Sequence, residues 1–292
     1  RVDYRHEGVK RIMQLMLPAL FGVSVSQINL LLDTVIASFL ETGSVSWLYY
    51  SDRLSELPLG VIGIAIGTVI LPSLSRKHAD ASPDQFAATL DWAVRAVLLI
   101  GLPAALALAL LAEPLIATLF FYGEVTGRDV MMSGQSLRAY SAGLLAFMLI
   151  KVLAPGYFAR QDTKTPVKIG IFAMVANMGL NLALVFPLAH AGLALATSIS
   201  AWLNAGLLWR GLIREGAWHW QAGWPAYLLR LGAANAAMAG VILWFQPPLD
   251  QWLNADGFQR SADMAILVVA GMAVYFFMLA AMGVRVRHFR HR

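Results

Sequence analysis

Long apolar segments constrain this 292-residue chain more than any other feature of its sequence. A helix of about 20 apolar residues crosses the hydrocarbon core of a bilayer. Windows of that kind cover residues 12–40, 45–73, 86–111, 134–158, 166–187, 190–213, 224–246 and 262–283. The apolar stretch 113–122 is too short to cross and fits an interfacial or re-entrant turn. We therefore predict an all-α integral membrane protein with about eight transmembrane helices.

Composition agrees with that class and argues against several others. The chain is 59% hydrophobic and 13% charged, whereas soluble domains are about half apolar and a quarter charged. Without cysteine, disulfides and thiolate metal sites are excluded. Its histidines lack metal-ligand spacing and it carries no phosphate-binding or nucleophile motif, so we expect a non-enzyme. The basic end RVRHFRHR follows a membrane span and predicts an anchor on anionic lipid, not a nucleic-acid site.

The distribution of basic residues predicts the orientation. If residue 1 is cytoplasmic and the sides alternate, most of the 22 lysines and arginines fall on cytoplasmic segments. This bias supports an even number of spans and a cytoplasmic C-terminus. The polar opening RVDYRHEGVKR precedes an apolar run without a cleavage signal, so we do not expect a signal peptide. Because the chain starts at Arg1, we expect a part of a longer protein.

The second window contains three ionisable residues, Asp52, Arg53 and Glu56. At the centre of a membrane each costs about 2.5–3.5 kcal/mol. One interpretation is that they lie at the aqueous end of the helix and snorkel. The other is a cavity-lining cluster, in which the Arg53 guanidinium binds an anionic group such as a phosphate. Pro58 follows just afterwards. It predicts either an interrupted helix of the kind found in transporters or an ordinary kink.

Further polar residues lie deep in other windows. Asp33 is in the first, and Asn177 and Asn181 share one face of the fifth. Thr197 lies early in the sixth, and oxygen ligands from several helices suit a hard cation such as Na⁺. By spacing alone, hydrogen bonding between helices is the commoner interpretation. Lys151, late in the fourth window, either snorkels to the following loop or has a role inside the membrane.

Three stretches resemble the MurJ/MviN family of bacterial lipid II flippases. They are LPALFGVSVSQINLLLDTVIASFLETGSVSWLYY, GSVSWLYYSDRLSELPLGVIGIAIGTVILPSLS and LIKVLAPGYFARQDTKTPVKIG. The resemblance implies a transporter of the multidrug/oligosaccharidyl-lipid/polysaccharide superfamily, of which this chain would be helices seven to fourteen. Residues 1–217 would form six helices of the C-terminal lobe. Residues 218–292 would add two helices with a groove for the lipid tail and a basic cytoplasmic tail.

The family implies that lipid II, an undecaprenyl-pyrophosphate-linked disaccharide-pentapeptide, crosses the bacterial inner membrane by alternating access during cell-wall synthesis. Arg53 matches a cavity arginine of the family, with Asp52 and Glu56 beside it. The implied partners are lipid II, membrane lipids and the N-terminal half of the transporter. Some members hold Na⁺, and the matching positions by spacing are Asp33, Asn177, Asn181, the carbonyl of Leu193, and Thr197. Asn181 stands where those members have an acid, so coupling to Na⁺, protons or membrane potential stays open, and no other cofactor is expected.

Two alternatives belong to other functional classes. A cation-coupled multidrug antiporter of the same superfamily would favour an acidic cavity, whereas Arg53 favours an anionic substrate. A non-transporting scaffold that recruits cell-wall enzymes would leave the charges inside the spans without a purpose. We therefore expect Asp52 and Arg53 to face a cavity between two lobes.

Overall fold

The computed structural model describes Met16 and residues 27–80 and 82–283, with the backbone alone over 62–67. All regular structure in these residues is helical: α1 (Gln27–Ser38), α2 (Ser44–Ala79), α3 (Pro83–Leu110), α4 (Ala112–Phe120), α5 (Gly127–Phe158), α6 (Lys164–Arg214), α7 (Trp224–Phe245), α8 (Leu249–Asn254) and α9 (Gly257–Ala281). Helices α3, α5, α6, α7 and α9 are long and apolar enough to cross a membrane. The all-α membrane class is confirmed, while the count of eight spans stays a prediction. The opening RVDYRHEGVKR and the tail RVRHFRHR lie outside the described residues.

Helix α6 contains the fifth and sixth predicted windows, joined by a single-residue break. Ala189 has φ 48° and ψ −130°, in a region that strains any residue with a side chain. On either side of it the two arms, residues 164–188 and 190–214, fold back on each other. A Cβ on Gly192 would lie 2.3 Å from the carbonyl oxygen of Leu184, so this close approach requires glycine. The apposed arms bring residues about 20 positions apart into contact.

Helix α5 lies at the centre and contacts α2, α3, α4 and α6. It begins with a capping box, in which the Thr126 hydroxyl accepts from the backbone N–H of Asp129 and the Asp129 carboxylate accepts from that of Thr126. Farther along, Gly143 allows the second arm of α6 to approach, and the Ser198 hydroxyl donates to the carbonyl of Ala139 at 2.6 Å. Small residues and hydroxyl donors are the usual means of packing helices in lipid.

Asp162, in the link from α5 to α6, stabilises the start of α6. Its carboxylate accepts from the backbone N–H groups of Lys164 and Thr165 at 3.1 and 3.0 Å. Partial burial opposes ionisation, but these hydrogen bonds outweigh it and hold the pKa of Asp162 below its usual value. Negative charge is favourable at this position because the N-terminus of a helix is electropositive.

Tryptophans mark the two ends of the bundle, the Trp47 end and the Trp224 end. At the Trp47 end, where α2 and α5 begin, the indole N–H of Trp47 donates to Asp129 at 2.7 Å. The Trp47 ring also meets the ring of His190, at the break of α6, with centroids 4.9 Å apart. At the Trp224 end, where α5 and α6 finish and α7 begins, Trp218, Trp220 and Trp224 pack edge to face.

Helices α7 and α9 pack against each other, and α7 also packs on α3. Asp91 of α3 is 3% exposed and accepts from the Trp224 indole at 2.7 Å and from the Arg95 guanidinium at 2.8 Å. The Tyr227 hydroxyl donates to the carbonyl of Arg95 at 2.7 Å. This buried carboxylate therefore has two donors, and its contacts hold the start of α7 on α3.

A proline in α3 explains a second contact with α9. Pro103 has no N–H, so the carbonyl of Leu99, four residues earlier, lacks its usual helical donor. The hydroxyl of Tyr275 donates to that carbonyl at 2.6 Å. A side chain of α9 thus replaces the hydrogen bond that the proline removes.

Arg260 attaches the start of α9 to α4. Its guanidinium is 6% exposed and donates to the carbonyls of Ala117 and Phe121, at 2.9 and 3.2 Å. These carbonyls lie at the end of α4, where helical donors run out. Helices α7 and α9 are therefore attached to the remaining helices at both ends of the bundle. The division at residue 217 stays a prediction.

Candidate functional site

A cavity of about 600 Å³ opens between α1, α2, α5 and both arms of α6. Most of its wall is apolar, and four acidic or basic side chains line it: Asp33, Asp52, Glu56 and Lys151. Two of the enclosing helices, α5 and α6, are long and apolar enough to cross a membrane. Charges in such surroundings interact more strongly than charges in water, because little solvent screens them. The cavity is therefore the most chemically distinctive part of the described chain.

The charged turn of α2 divides between the cavity and its surroundings. Asp52 and Glu56 line the cavity, whereas Arg53 does not belong to its wall. The Arg53 side chain is 54% exposed, donates to Glu56 at 2.8 Å and lies over the Tyr49 ring at 5.0 Å. The guanidinium thus lies beside the cavity, where part of its charge is balanced by Glu56.

The five positions matched to a cation site come together in the fold. Asn181 donates to Asp33 at 2.6 Å and to the Asn177 side-chain oxygen at 3.0 Å. The hydroxyl of Thr197 lies 3.2 Å from the other oxygen of Asp33 and 3.0 Å from the carbonyl of Leu193. Asp33 is 7% exposed and both asparagines are fully buried. This group, the Asp33 network, joins α1 to both arms of α6.

The Asp33 network is not completely satisfied. The side-chain oxygen of Asn181 is buried and has no donor among the described residues. A buried oxygen without a donor costs free energy, on the order of 1–3 kcal/mol. It therefore marks a place where a water or a cation would be stabilised.

The cavity wall has further polar atoms without partners. Neither the Asp52 carboxylate nor the Lys151 ammonium makes a hydrogen bond or an ion pair within 4 Å to another residue that the structure describes. The side-chain oxygens of Asn29 and Asn204, both in the wall, are buried and also lack donors there. The wall is therefore rich in acceptors that no described side chain occupies.

Asn204 has no place among the site residues predicted from the sequence, although a signal for it exists. Thr197, Ser200 and Asn204 recur at helical spacing and share one face of the second arm of α6. All three line the cavity. A polar stripe inside an apolar window is therefore a better indicator of a cavity than any one of its residues.

Comparison with known proteins places the chain in a family. The family profile described as "Lipid II flippase MurJ" matches residues 1–261. A "Probable lipid II flippase MurJ" of Vibrio cholerae is 53% identical over 284 residues, which cover 97% of this chain and 54% of that protein. A "Lipid II flippase MurJ" of Burkholderia cenocepacia is 43% identical over 290 residues, covering 99% of this chain and 56% of that protein.

Solved structures show the same fold. "Lipid II flippase MurJ, inward closed conformation" superposes with a TM-score of 0.76 at 24% identity, covering 94% of this chain and 56% of that chain. A crystal structure of MATE in complex with Br-NRF superposes with a TM-score of 0.55 at 17% identity, covering 96% of this chain and 68% of that chain. The fold is thus that of MurJ-like and MATE-like transporters, as predicted.

The chain spans a little over half the length of the curated relatives it matches. Its apolar helices and its relatives identify a multi-pass protein of the bacterial inner membrane. The match is to transporters and covers nearly the whole chain. The chain belongs to the MurJ family of lipid II flippases.

Proposed function

We propose that the protein of which this chain is a part moves lipid II from the inner to the outer leaflet of the bacterial cytoplasmic membrane. The observation that carries this proposal is a cavity lined by charged residues between helices of a MurJ-family chain. This chain supplies one wall, corresponding to helices seven to fourteen, and the N-terminal half supplies the other. Alternating access would expose the cavity to one leaflet at a time.

In this proposal the Trp224 end is cytoplasmic and the Trp47 end faces outwards. Arg160, Lys164 and Arg214 lie at the Trp224 end, which agrees with the enrichment of basic residues on cytoplasmic segments. The C-terminus is then cytoplasmic as well. Helices α7 and α9 hold the lipid tail, and exposed apolar side chains such as Leu229 and Phe277 support that role.

In the same proposal Arg53 binds the pyrophosphate from beside the cavity, and the neighbouring acids Asp52 and Glu56 orient its guanidinium. A guanidinium suits phosphate because its donors form two parallel hydrogen bonds. The test is complementation of a flippase-depleted bacterium by the full-length protein. Arg53→Ala should abolish rescue at normal membrane levels, while Arg128→Ala, which removes an exposed arginine paired with Glu41, should rescue. Rescue by Arg53→Ala would remove Arg53 from the mechanism.

We also propose that the Asp33 network holds the coupling cation, with Na⁺ as the first candidate. The oxygens available to coordinate an ion are one carboxylate and several neutral oxygens, a set that suits a hard cation such as Na⁺. The unpartnered oxygen of Asn181 supports the fit. In the structure the side-chain nitrogen of Asn181 donates to Asp33. To bind a cation, the Asn181 amide would have to turn so that its oxygen faces the ion in place of its nitrogen. The ion would supply charge that neutralises Asp33.

Thermal unfolding of the full-length protein in NaCl and in choline chloride tests the cation proposal. We expect Na⁺ to raise the unfolding temperature of the wild type and to have no specific effect on Asp33→Ala. Equal Na⁺-dependent increases of the unfolding temperature in both proteins would remove Asp33 from the site. A Na⁺ response absent from both proteins would favour protons or membrane potential as the coupling force.

A multidrug antiporter of the same superfamily is the second candidate. The MATE-like fold and the three carboxylates of the cavity favour it. Such a protein would protect cells from cationic drugs without rescuing flippase depletion. Complementation and drug resistance measured in the same strain separate the two functions.

A further inference from the structure

An open groove of about 370 Å³ lies on α6 near the Trp224 end of the bundle. The residues that line it come from the last turns of α6 and from the loop that follows: Gly206, Trp209, Arg210, Ile213, Arg214 and Trp220. At about 100° per residue, Gly206 and Ile213 lie roughly opposite Asn204, which lines the cavity. The groove therefore faces away from the cavity and is a separate site.

Two guanidinium groups of the groove lack acidic partners. Arg210 and Arg214 are four residues apart, so they share one face of α6. Both are exposed, and neither makes a hydrogen bond or an ion pair within 4 Å to another residue that the structure describes. The neighbouring acid, Glu215, is paired with Arg160 at 2.7 Å. The two positive charges are therefore available to an anion.

The remainder of the groove is apolar and belongs to a tryptophan cluster. The rings of Trp209 and Trp220 lie 5.9 Å apart, and each packs on Trp218, at 5.1 and 4.7 Å. Tryptophan is enriched at the level of the lipid headgroups, and α6 is long and apolar enough to cross a membrane. The two arginines therefore lie where the phosphates of a bilayer are found.

Gly206 opens the groove towards the interior of the membrane. It lies eight residues before Arg214, which is about 12 Å along the helix. A Cβ on Gly206 would meet no neighbouring side chain within 4 Å. The groove thus has a cationic end at headgroup level and an open apolar end deeper in the membrane, as a phospholipid does in reverse charge.

We propose that this groove binds one anionic glycerophospholipid, with its phosphate between Arg210 and Arg214 and an acyl chain along Trp209 and Gly206. Guanidinium groups suit a phosphodiester because their planar donors form paired hydrogen bonds with its oxygens. A lipid without an ammonium is favoured, since none of the residues that line the groove in the described chain is acidic. The inference does not depend on what the cavity transports.

Two other occupants fit less well. The basic segment RVRHFRHR at the end of the chain would be repelled by the two arginines. A soluble phosphate would pair with the arginines but would leave the apolar end of the groove uncovered. A lipid satisfies both ends at once.

Native mass spectrometry of the full-length protein in detergent tests the inference, with dioleoylphosphatidylglycerol and dioleoylphosphatidylcholine as probes. We expect the wild type to retain the first phosphatidylglycerol at least about tenfold more tightly than phosphatidylcholine. Arg210→Gln/Arg214→Gln should lose this preference. Lys164→Gln/Lys168→Gln is the matched control, because it removes two exposed cations with the same spacing from the same helix, outside the groove. It should bind both lipids like the wild type.

The acyl chain is tested separately from the charge. Gly206→Leu fills the apolar end and leaves both arginines in place, and leucine suits a helix better than glycine. We expect phosphatidylglycerol to bind about fivefold more weakly to this variant, because part of its chain loses its apolar contact. Glycerophosphoglycerol, the headgroup without acyl chains, should not compete with the lipid at equal concentration.

Four results would overturn the inference. Equal retention of the two lipids by the wild type would show that the charge is not recognised. Equal losses in the arginine and lysine variants would assign the effect to overall charge. Unchanged binding in Gly206→Leu would remove the chain from the groove, and competition by glycerophosphoglycerol would assign the site to a soluble phosphate. Each of these results leaves lipid II transport through the cavity intact.

Discussion

Two carboxylates in neighbouring helices of this protein have opposite surroundings. Asp91 of α3 is 3% exposed and accepts hydrogen bonds from Trp224 and Arg95. Asp52 of α2 lines a cavity and has no hydrogen bond or ion pair to any residue in the described part of the chain. Both are costly in a membrane, but among the described residues only Asp91 has hydrogen-bond donors.

The difference indicates how charges inside a membrane protein can be interpreted. A fully partnered charge contributes to structure, because removing one member leaves the others buried and unsatisfied. A charge without partners has no stabilising contacts to lose when it is removed, and it is available to a ligand. The comparison therefore predicts that loss of stability and loss of transport separate between the two sites.

The largest effect on stability is expected at Asp91. Asp91→Ala leaves the Arg95 guanidinium and the Trp224 indole without their acceptor and should lower the free energy of unfolding by about 3 kcal/mol. Thermal or denaturant unfolding of the full-length protein measures it. Asp84→Ala, an exposed acid in the first turn of the same helix, should cost less than about 1 kcal/mol. Equal losses would contradict the structural role of Asp91.

The next effect is expected at Arg260. Arg260→Met removes the donor of two carbonyls at the end of α4 and should cost about 2 kcal/mol. Arg260→Lys keeps the charge but loses the planar fork, so an intermediate loss should appear in the same unfolding experiment. If Arg260→Met unfolds like the wild type, the attachment of α9 to α4 does not depend on this side chain.

A smaller effect is expected at Tyr275. Tyr275→Phe leaves the carbonyl of Leu99 without a donor and should cost about 1 kcal/mol. Pro103→Ala restores an N–H to α3, so Tyr275→Phe should cost less in that background. A double-mutant cycle measures this coupling, and strictly additive effects would refute the link between the proline and the hydroxyl.

The smallest effect on stability is expected at Asp52, in contrast to its effect on transport. Asp52→Asn removes a costly charge that has no donor among the described residues, so it should not lower the free energy of unfolding. Unfolding and transport are measured on the same preparation. A destabilisation comparable to that of Asp91→Ala would end the distinction between the two carboxylates.

The sequence predicts the helical architecture closely, because long apolar windows with short connections allow few other folds. The windows at 224–246 and 86–111 agree with α7 and α3 to within a few residues. The sequence also predicts two windows around residue 189, although the structure joins them across one strained residue. The pattern of apolar residues indicates the length and polarity of each helix, but it does not indicate how tight the turn between two helices is.

Side-chain direction is harder to predict than helix position. Adjacent residues of a helix differ by about 100°, so the sequence does not decide whether Asp52 or Arg53 faces a cavity. The structure assigns the wall to Asp52 and the surroundings to Arg53. The contact between Asp91 and Trp224 joins residues 133 positions apart. In the sequence, a tryptophan at position 224 is typical of a membrane interface. Only tertiary packing brings Asp91 to its indole N–H as a hydrogen-bond acceptor.

The single-residue turn in α6 has a consequence for how this family can vary in length. Most connections between helices tolerate insertions because they are exposed and their ends are flexible. Here one added residue would rotate the second arm by about 100° relative to the first. Thr197 would then leave Asp33 and Asn177, and Gly192 would no longer face Leu184. We therefore expect insertions and deletions in the full-length protein to be accepted in the exposed turn between α4 and α5, around Gly123, but not at Ala189. A scan of single-residue insertions would measure that contrast directly.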